Sequence, residues 1–244
     1  MNRKGFLHHI LFLDIETVPL VSHFEKLNKA EQLRFETKTR YKRKELISAA
    51  EFYPNAGIWA EFGKVICISV AYLKGNEKEQ QMVLESFYDK DERKVLGDFI
   101  QLLDARFNKR TDLLCAHNGK EFDFPFLARR MIINSIPVPE ILNLFGKKPW
   151  EVRHLDTMEL WKFGDYKHYT SLDLLASVLG ISSPKDDLKG NDIAFVYYEE
   201  NDLERIVRYC EKDTIAVAKV YLCLMGKSAN ELNISSKQAF KNGD

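Results

Sequence analysis

The chain has 244 residues, 45% of them apolar, so it can bury the core of one large domain. Its 36 basic and 36 acidic residues balance, which excludes a simple electrostatic coat for nucleic acid but not a local groove. No apolar run approaches the roughly 20 residues of a membrane helix. The four cysteines lie in apolar surroundings without a C-x-x-C pair. We therefore predict a cytoplasmic protein with buried free thiols and no membrane contact.

The first informative stretch is an apolar run at 10–13 that leads into Asp14 and Glu16. If the run is a β-strand, the two carboxylates project from the same face at its carboxyl end. Two like charges on an apolar support are unfavourable unless a cation lies between them. The alternative is that Asp14 ends the strand and begins a turn, as aspartate often does. On this stretch alone the turn is the favoured interpretation, because isolated short motifs often match by chance, and the rest of the chain must decide.

Further along the chain, residues 20–60 are rich in charge at helical spacing, which predicts a solvated helical insertion. Two β-branched runs then suggest a hairpin, and two strand–helix crossovers follow it. Together they predict an α/β fold with a mixed sheet and helices on both faces. The predicted strands lie at 10–16, 65–73, 81–87, 113–116 and 152–155, and the main helices at 91–107, 124–134 and 202–225, with shorter helices capped by Asp156 and Ser171. We predict a single domain at 1–226 and a flexible tail at 227–244.

Two later stretches carry acids in suggestive positions. Asp123 follows the predicted strand at 113–116, where it could be a ligand or a helix N-cap ahead of Pro125. Tyr209 and Asp213 are four residues apart in the last helix and share a face with apolar residues. A carboxylate on a packed helix face is unfavourable unless something compensates its charge.

The four acids together suggest a metal site. Carboxylate oxygens are the ligands that Mg²⁺ and Mn²⁺ prefer, whereas the scarcity of nearby histidine and cysteine argues against zinc. Two such ions about 3.5–4 Å apart are a common arrangement for phosphodiester hydrolysis. Nearby basic residues are candidates for phosphate contacts, although ordinary exposed charges are the alternative, which we favour for Arg129 and Arg130. These basic residues are Lys120, Arg129, Arg130, Lys185 and Lys189.

Three motifs, in order, resemble those of the DEDD exonuclease superfamily. They are Asp14-Ile15-Glu16-Thr17, Asn118-x-x-x-Phe122-Asp123-x-Pro125 and Tyr209-x-x-x-Asp213. The tyrosine is typical of the DEDDy branch. The resemblance extends over about residues 8–225 and is greatest to the proofreading exonuclease domain of family B DNA polymerases, in particular its stand-alone bacterial form.

The resemblance implies a ribonuclease H-like fold with a five-stranded mixed sheet and a metal-dependent 3′–5′ exonuclease. It implies two Mg²⁺ or Mn²⁺ ions and release of nucleoside 5′-monophosphates from single-stranded 3′ ends, DNA more than RNA. In the implied catalytic set, Asp14, Glu16, Asp123 and Asp213 serve the metals and Tyr209 orients the attacking water. The implied substrate contacts are Thr17, Asn118 and Phe122, the last by stacking on a base. Phe122 as a simple core residue is the alternative.

Two other functions stay open on the sequence. One is a nucleic-acid-binding or polymerase-partner module with weak catalysis or none. The other is a phosphatase of the haloacid dehalogenase type, which uses an Asp-x-Asp-x-Thr stretch, but Glu16 replaces the second aspartate here. Oligomeric state and pathway are not indicated by the sequence.

Overall fold

A computed structural model describes residues 6–43, 47–75, 81–165, 169–181, 188–228 and 233–237. Its centre is a six-stranded sheet in the order β5-β4-β1-β2-β3-β6. Strands β1, β2 and β3 are antiparallel neighbours, whereas β4, β5 and β6 each join by parallel pairing. The strands are β1 (Ile10–Pro19), β2 (Gly63–Lys74), β3 (Gln81–Tyr88), β4 (Leu113–Ala116), β5 (Leu155–Asp156) and β6 (Asn233–Lys237).

Helices cover both faces of the sheet, as predicted for an α/β fold. The α-helices are α1 (Lys29–Arg43), α2 (Ala49–Phe52), α3 (Glu92–Arg106), α4 (Asp123–Ile133), α5 (Thr157–Lys162), α6 (Leu172–Val178), α7 (Ile193–Phe195) and α8 (Leu203–Leu224). Short 3₁₀ turns are Phe6–His9, Phe24–Lys26, Tyr53–Ile58, Glu140–Leu142, Pro149–Glu151 and Gly190–Asp192, and a π-helical turn is Val196–Glu200. None of the helices in these described ranges is both long and apolar enough to cross a membrane.

Side-chain alternation along the central strand β1 decides which helix meets which face. Leu11 and Leu13 pack in the cluster formed with α3 and α4. Ile10 and Phe12 pack in the cluster on the other face, against α8. Because successive strand residues point to opposite faces, Asp14 lies on the same face as Ile10 and Phe12, the face that α8 covers. The sequence of this one strand therefore directs its acidic pair toward the last long helix.

A buried ion pair joins α3 to α4. The Arg130 guanidinium donates two hydrogen bonds to the Glu92 carboxylate, at 2.8 and 2.5 Å, and a third to the carbonyl of Ala60 at 2.7 Å. Glu92 also accepts from the Val65 N–H at 2.8 Å and from Asn134. Arg130 is 4% exposed, so the expectation that it is an exposed helix charge is wrong. Helical spacing places it on the face that meets α3.

The insertion at 20–60 differs from the continuous solvated helix that its charge suggested. It is divided into the 15-residue helix α1 and three shorter helical segments, and it has a small core in which Phe35 and Tyr53 pack with Phe62 from the start of the following segment. Although the charge of this stretch predicted solvated side chains, Arg43 is 9% exposed and donates to Thr39 and to two backbone carbonyls. Aromatic rings make edge contacts around Phe35, and these contacts give the insertion its own packing.

The sheet has one strand more than the five predicted. β6 pairs in parallel with β3 from Gln81↔Asn233 to Glu85↔Lys237. These five residues lie inside the segment 227–244 that we expected to be flexible; 229–232 and 238–244 lie outside the described residues. Pairing satisfies backbone hydrogen bonds at an otherwise open sheet edge, which composition alone does not indicate.

Candidate active site

Asp14 and Glu16 lie on the same face of β1, as predicted. Asp14 is half-buried and Glu16 is buried at 8% exposure. Their partners on β2 are Ser69 and Cys67. The strand does not end at the acids but continues to Pro19, with a register shift just after Glu16, because β2 still pairs there. The parallel neighbour β4 pairs only as far as Phe12, so the acids lie beyond the end of β4.

Asp123 is the first residue of α4, and the residue at the N-cap position is Phe122. The alternative that Asp123 serves as the N-cap is therefore wrong. Its carboxylate accepts hydrogen bonds from backbone N–H groups, including that of Ile15 on β1. The contact brings the Asp123 carboxylate to the backbone of Ile15, the residue between Asp14 and Glu16 in the sequence. Its Oδ1 atom is buried and has no hydrogen-bond partner in the part of the chain that the structure describes.

The long helix α8 contributes the remaining predicted residues. The Tyr209 hydroxyl donates a hydrogen bond to the Asp213 carboxylate, one helical turn further on. Asp213 is close enough to Asp14 and Glu16 for its charge to raise the pKa of both. The structure thus brings together the five residues that the three motifs supplied, from β1, α4 and α8.

Burial is the main cause of the shifted pKa values in this cluster. It raises the pKa of Asp14 and Glu16 well above the ordinary range, and neighbouring acidic groups raise both further. Burial also raises the pKa of Asp123 to about 7, while backbone N–H groups act in the opposite direction. The pKa of Tyr209 is raised by burial and then by Asp213. A group of acids that oppose each other's ionisation in this way is stabilised by added positive charge.

The donor set fits a divalent cation. Oxygen atoms of Asp14 and Glu16 and the Cys210 sulfur lie within 4.8 Å of one another. The unpaired Asp123 Oδ1 supplies a further oxygen that lacks a partner among the described residues. Carboxylate oxygens suit hard ions such as Mg²⁺ and Mn²⁺. The acidic cluster can therefore hold a divalent metal, and the thiol beside it was not predicted from the sequence.

A cavity of about 440 Å³ opens next to Glu16. Thr17 and Phe122 both line it, and so does the turn Tyr53–Ile58 of the insertion. The Thr17 hydroxyl donates to the carbonyl of Gly57 at 2.8 Å, which fixes this wall to β1. A Cβ at Gly57 would lie 3.2 Å from the Thr17 carbonyl oxygen, which is closer than an ordinary van der Waals contact, so a larger residue would push this wall slightly away from β1. Phe122 is half-buried beside Phe126.

Asn118, the third predicted substrate contact, lies in the loop between β4 and α4. It adopts a left-handed backbone conformation with φ of 62°, which asparagine tolerates better than most residues. Its Oδ1 is buried without a partner among the described residues. The pocket of about 440 Å³ does not include Asn118 among its lining residues.

Asp156 holds that loop in place. Its carboxylate accepts from the backbone N–H groups of Asn118 and Lys120 at 3.0 and 3.1 Å. It also caps α5 by accepting from Met158 and Glu159. The N-cap role was predicted, but the link to the loop was not, because the loop precedes Asp156 by nearly 40 residues.

The basic residues considered for phosphate contacts lie in different surroundings. Lys120 pairs with Glu159 at 2.7 Å. Arg129 is exposed, and Lys185 lies outside the described residues.

Comparison with known proteins agrees with this geometry. Residues 58–240 match the family described as a predicted 3′–5′ exonuclease related to the exonuclease domain of PolB. The chain belongs to this family. The matched range contains Asn118, Asp123 and Tyr209, whereas Asp14 and Glu16 precede it.

The fold is also that of a solved polymerase. The family B DNA polymerase from the hyperthermophilic archaeon Pyrobaculum calidifontis superposes with a TM-score of 0.55 at 15% sequence identity. The match covers 88% of this chain and 24% of that polymerase chain, so the present chain spans about a quarter of its length. This similarity confirms the predicted ribonuclease H-like α/β fold. The family match confirms the predicted resemblance to the polymerase exonuclease domain.

Proposed function

We propose that the protein is a metal-dependent 3′–5′ exonuclease that releases nucleoside 5′-monophosphates from single-stranded 3′ ends. The observation that carries the proposal is the uncompensated acidic cluster of Asp14, Glu16 and Asp123, with Asp213 beside it. Membership in a family of predicted 3′–5′ exonucleases supports the direction of cutting. DNA is favoured over RNA because the family is described as related to PolB.

The resemblance to the DEDD exonucleases implies a role for each acid. Asp14, Glu16 and Asp213 would hold one of two Mg²⁺ or Mn²⁺ ions, and Asp14 would face both. By the same resemblance Asp123, the first residue of α4, would act through water. Divalent ions at such a cluster supply positive charge and Lewis acidity for phosphodiester hydrolysis.

Tyr209 orients the attacking water in this proposal. Its raised pKa keeps the phenol protonated at neutral pH, so it does not serve as the base; its proton is donated to Asp213, and its oxygen accepts a hydrogen bond from the water. Its bond to Asp213 fixes the direction of the ring hydroxyl. We expect Tyr209→Phe to lower the hydrolysis rate about 10- to 100-fold, the range typical of residues that support a metal site.

The cavity beside Glu16 would receive the terminal nucleotide. Phe122 offers an aromatic face for base stacking, which tolerates any base. Thr17 would contribute its backbone N–H, since its hydroxyl is already bonded to Gly57. Asn118, whose side chain is half-buried, would contact the neighbouring nucleotide.

The test is digestion of 5′-labelled DNA and RNA strands of identical sequence, with Mg²⁺, Mn²⁺ or a chelator. We expect a ladder of shortened products, faster on DNA, that disappears with the chelator and with Asp14→Asn. Mass spectrometry of the products identifies the released 5′-monophosphates. Binding to the 3′ end without a ladder in either metal would favour a binding or polymerase-partner module instead.

A further inference from the structure

Two thiols lie directly against the acidic cluster. The Cys210 thiol donates to the backbone carbonyl of Asp14 at 3.4 Å and also hydrogen-bonds with the Cys67 thiol. Cys67 is the partner of Glu16 across the β1–β2 pairing. Both cysteines are buried with no exposed surface, and they pack in one small cluster with Val207. The region therefore contains sulfur as well as carboxylate ligands.

The distances permit one ion to contact both kinds of ligand. The Cys210 sulfur and one carboxylate oxygen each of Asp14 and Glu16 all lie within 4.8 Å of one another. Ligand atoms of a tetrahedral zinc ion with bonds of about 2.0–2.3 Å lie roughly 3.3–3.8 Å apart, so the three atoms reach this spacing with shifts of about 1 Å. The unpaired Oδ1 of Asp123, a side chain only 2% exposed, is a second and separate indication that this cluster lacks a ligand.

Sulfur changes which metals the cluster can accept. Mg²⁺ and Mn²⁺ gain little from a thiol, whereas thiolate is a preferred ligand of Zn²⁺. The mixed oxygen and sulfur set thus offers two alternatives in overlapping space, a hard ion on the carboxylates or a thiophilic ion on the carboxylates and Cys210. Asp14 is half-buried, so the carboxylates are not closed off from solvent at this residue.

We propose that Cys210, together with Asp14 and Glu16, forms a binding site for a thiophilic divalent cation such as Zn²⁺, which competes with the catalytic ions and inhibits hydrolysis. Binding replaces the thiol proton with a metal–sulfur bond, and the proton leaves to the solvent without any change of oxidation state. Cys67 supports the site by its hydrogen bond to Cys210. The proposal deepens the proposed nuclease function, because it concerns the same carboxylates.

The test uses Cd²⁺ as a probe, because a cadmium–thiolate bond gives a charge-transfer absorption in the near ultraviolet. The metal-free, fully reduced chain is titrated with Cd²⁺, and binding of Cd²⁺ and Mn²⁺ is measured separately by calorimetry. We expect one Cd²⁺ per chain with the thiolate absorption. Cys210→Ser should lose this absorption and weaken Cd²⁺ binding about tenfold or more, while Mn²⁺ binding changes much less.

Cys223→Ser is the matched control, since it removes a partly buried thiol from the same helix, α8. It should bind Cd²⁺ like the wild type and keep the absorption. Asp14→Asn should weaken Cd²⁺ and Mn²⁺ binding together. The proposal is overturned if the wild type shows no cadmium–thiolate absorption, or if Cys210→Ser keeps it while Cys223→Ser loses it.

The wild-type titration alone can overturn the proposal, even if a cysteine variant fails to fold. Because the experiment measures metal binding, failure of the metal-site proposal can be distinguished from failure of the proposed nuclease function. If the protein shows the cadmium–thiolate absorption but does not hydrolyse DNA, the metal-site proposal stands and the nuclease proposal is wrong. A chain that hydrolyses DNA without the absorption does the reverse, and in an active chain Zn²⁺ should inhibit Cys210→Ser less than Cys223→Ser.

Discussion

The Glu92–Arg130 pair and the acidic cluster at Asp14 both place ionisable groups inside the protein, but their charges are balanced differently. Glu92 accepts hydrogen bonds from Val65 on β2, from Arg130 on α4 and from Asn134 just after α4, and Arg130 matches its charge. Asp14 and Glu16 instead face other acids, and Asp123 keeps an unpaired oxygen within the described structure. Buried charge that is compensated from within serves the fold, whereas uncompensated charge marks a place for a ligand.

The largest effect should come from breaking the compensated pair. We expect Arg130→Met to lower the free energy of unfolding by about 3–5 kcal/mol, because it leaves the Glu92 carboxylate buried without its partner. Urea denaturation measures the change. The double variant Glu92→Leu with Arg130→Met should recover much of the loss.

Arg129→Met is the control for that experiment, since the neighbouring arginine is exposed. It should change stability by no more than about 0.5 kcal/mol. Equal losses for the two arginine variants would contradict the role given to the buried pair.

The uncompensated cluster should respond in the opposite way. Asp14→Asn should lower the hydrolysis rate at least about 100-fold, while the stability of the metal-free protein stays the same or rises. The rise is expected because one member of a mutually repelling group is removed. Single-turnover hydrolysis and urea denaturation are the two measurements, with exposed Asp104→Asn as a control that should change neither. A metal-free Asp14→Asn protein that is clearly less stable would show that Asp14 has a structural role.

Stability should depend on pH and on metal for the same reason. The folded protein holds protons on carboxyls whose pKa is raised, to about 7 for Asp123, and the unfolded chain releases them near pH 4. The folded state therefore binds more protons in this window, so stability without metal falls as pH rises from about 4 through 7. Thermal unfolding in a chelator tests the slope.

Adding Mn²⁺ at about 100 times its dissociation constant should restore about 3 kcal/mol at neutral pH. The slope with pH should be smaller in metal, because the cation stabilises the ionised carboxylates. A metal-free protein whose stability rises across this window would contradict the raised pKa values of the cluster.

The smallest effect on stability should come from replacing Asp156, whose carboxylate accepts its hydrogen bonds from backbone N–H groups. Asp156→Ala and Ser171→Ala each remove an N-cap, of α5 and α6, so each should cost about 1 kcal/mol. Only Asp156 also holds the Asn118 loop. Hydrolysis should therefore fall about tenfold for Asp156→Ala alone. Similar hydrolysis rates for the two variants would show that Asp156 does not position the Asn118 loop for hydrolysis.

Local patterns account for much of the fold. Apolar spacing predicts α3, α4 and α8 to within one or two residues, since their buried faces repeat at helical intervals. β6 and the small core of the insertion were not predicted, because both depend on contacts with distant strands or rings. The same limit applies to Arg130, which resembles its exposed neighbour Arg129 in sequence but lies against α3.

By itself the sequence determined that carboxylates and a tyrosine occur in three ordered motifs, and that strand and helix periodicity place each on a defined face. Only the tertiary structure decided that the faces meet, that Asp123 bonds to Ile15, and that Cys210 joins the carboxylates. The reason is physical. Periodicity follows from bonds between near neighbours in the chain, whereas shared charge and desolvation depend on which distant elements pack together.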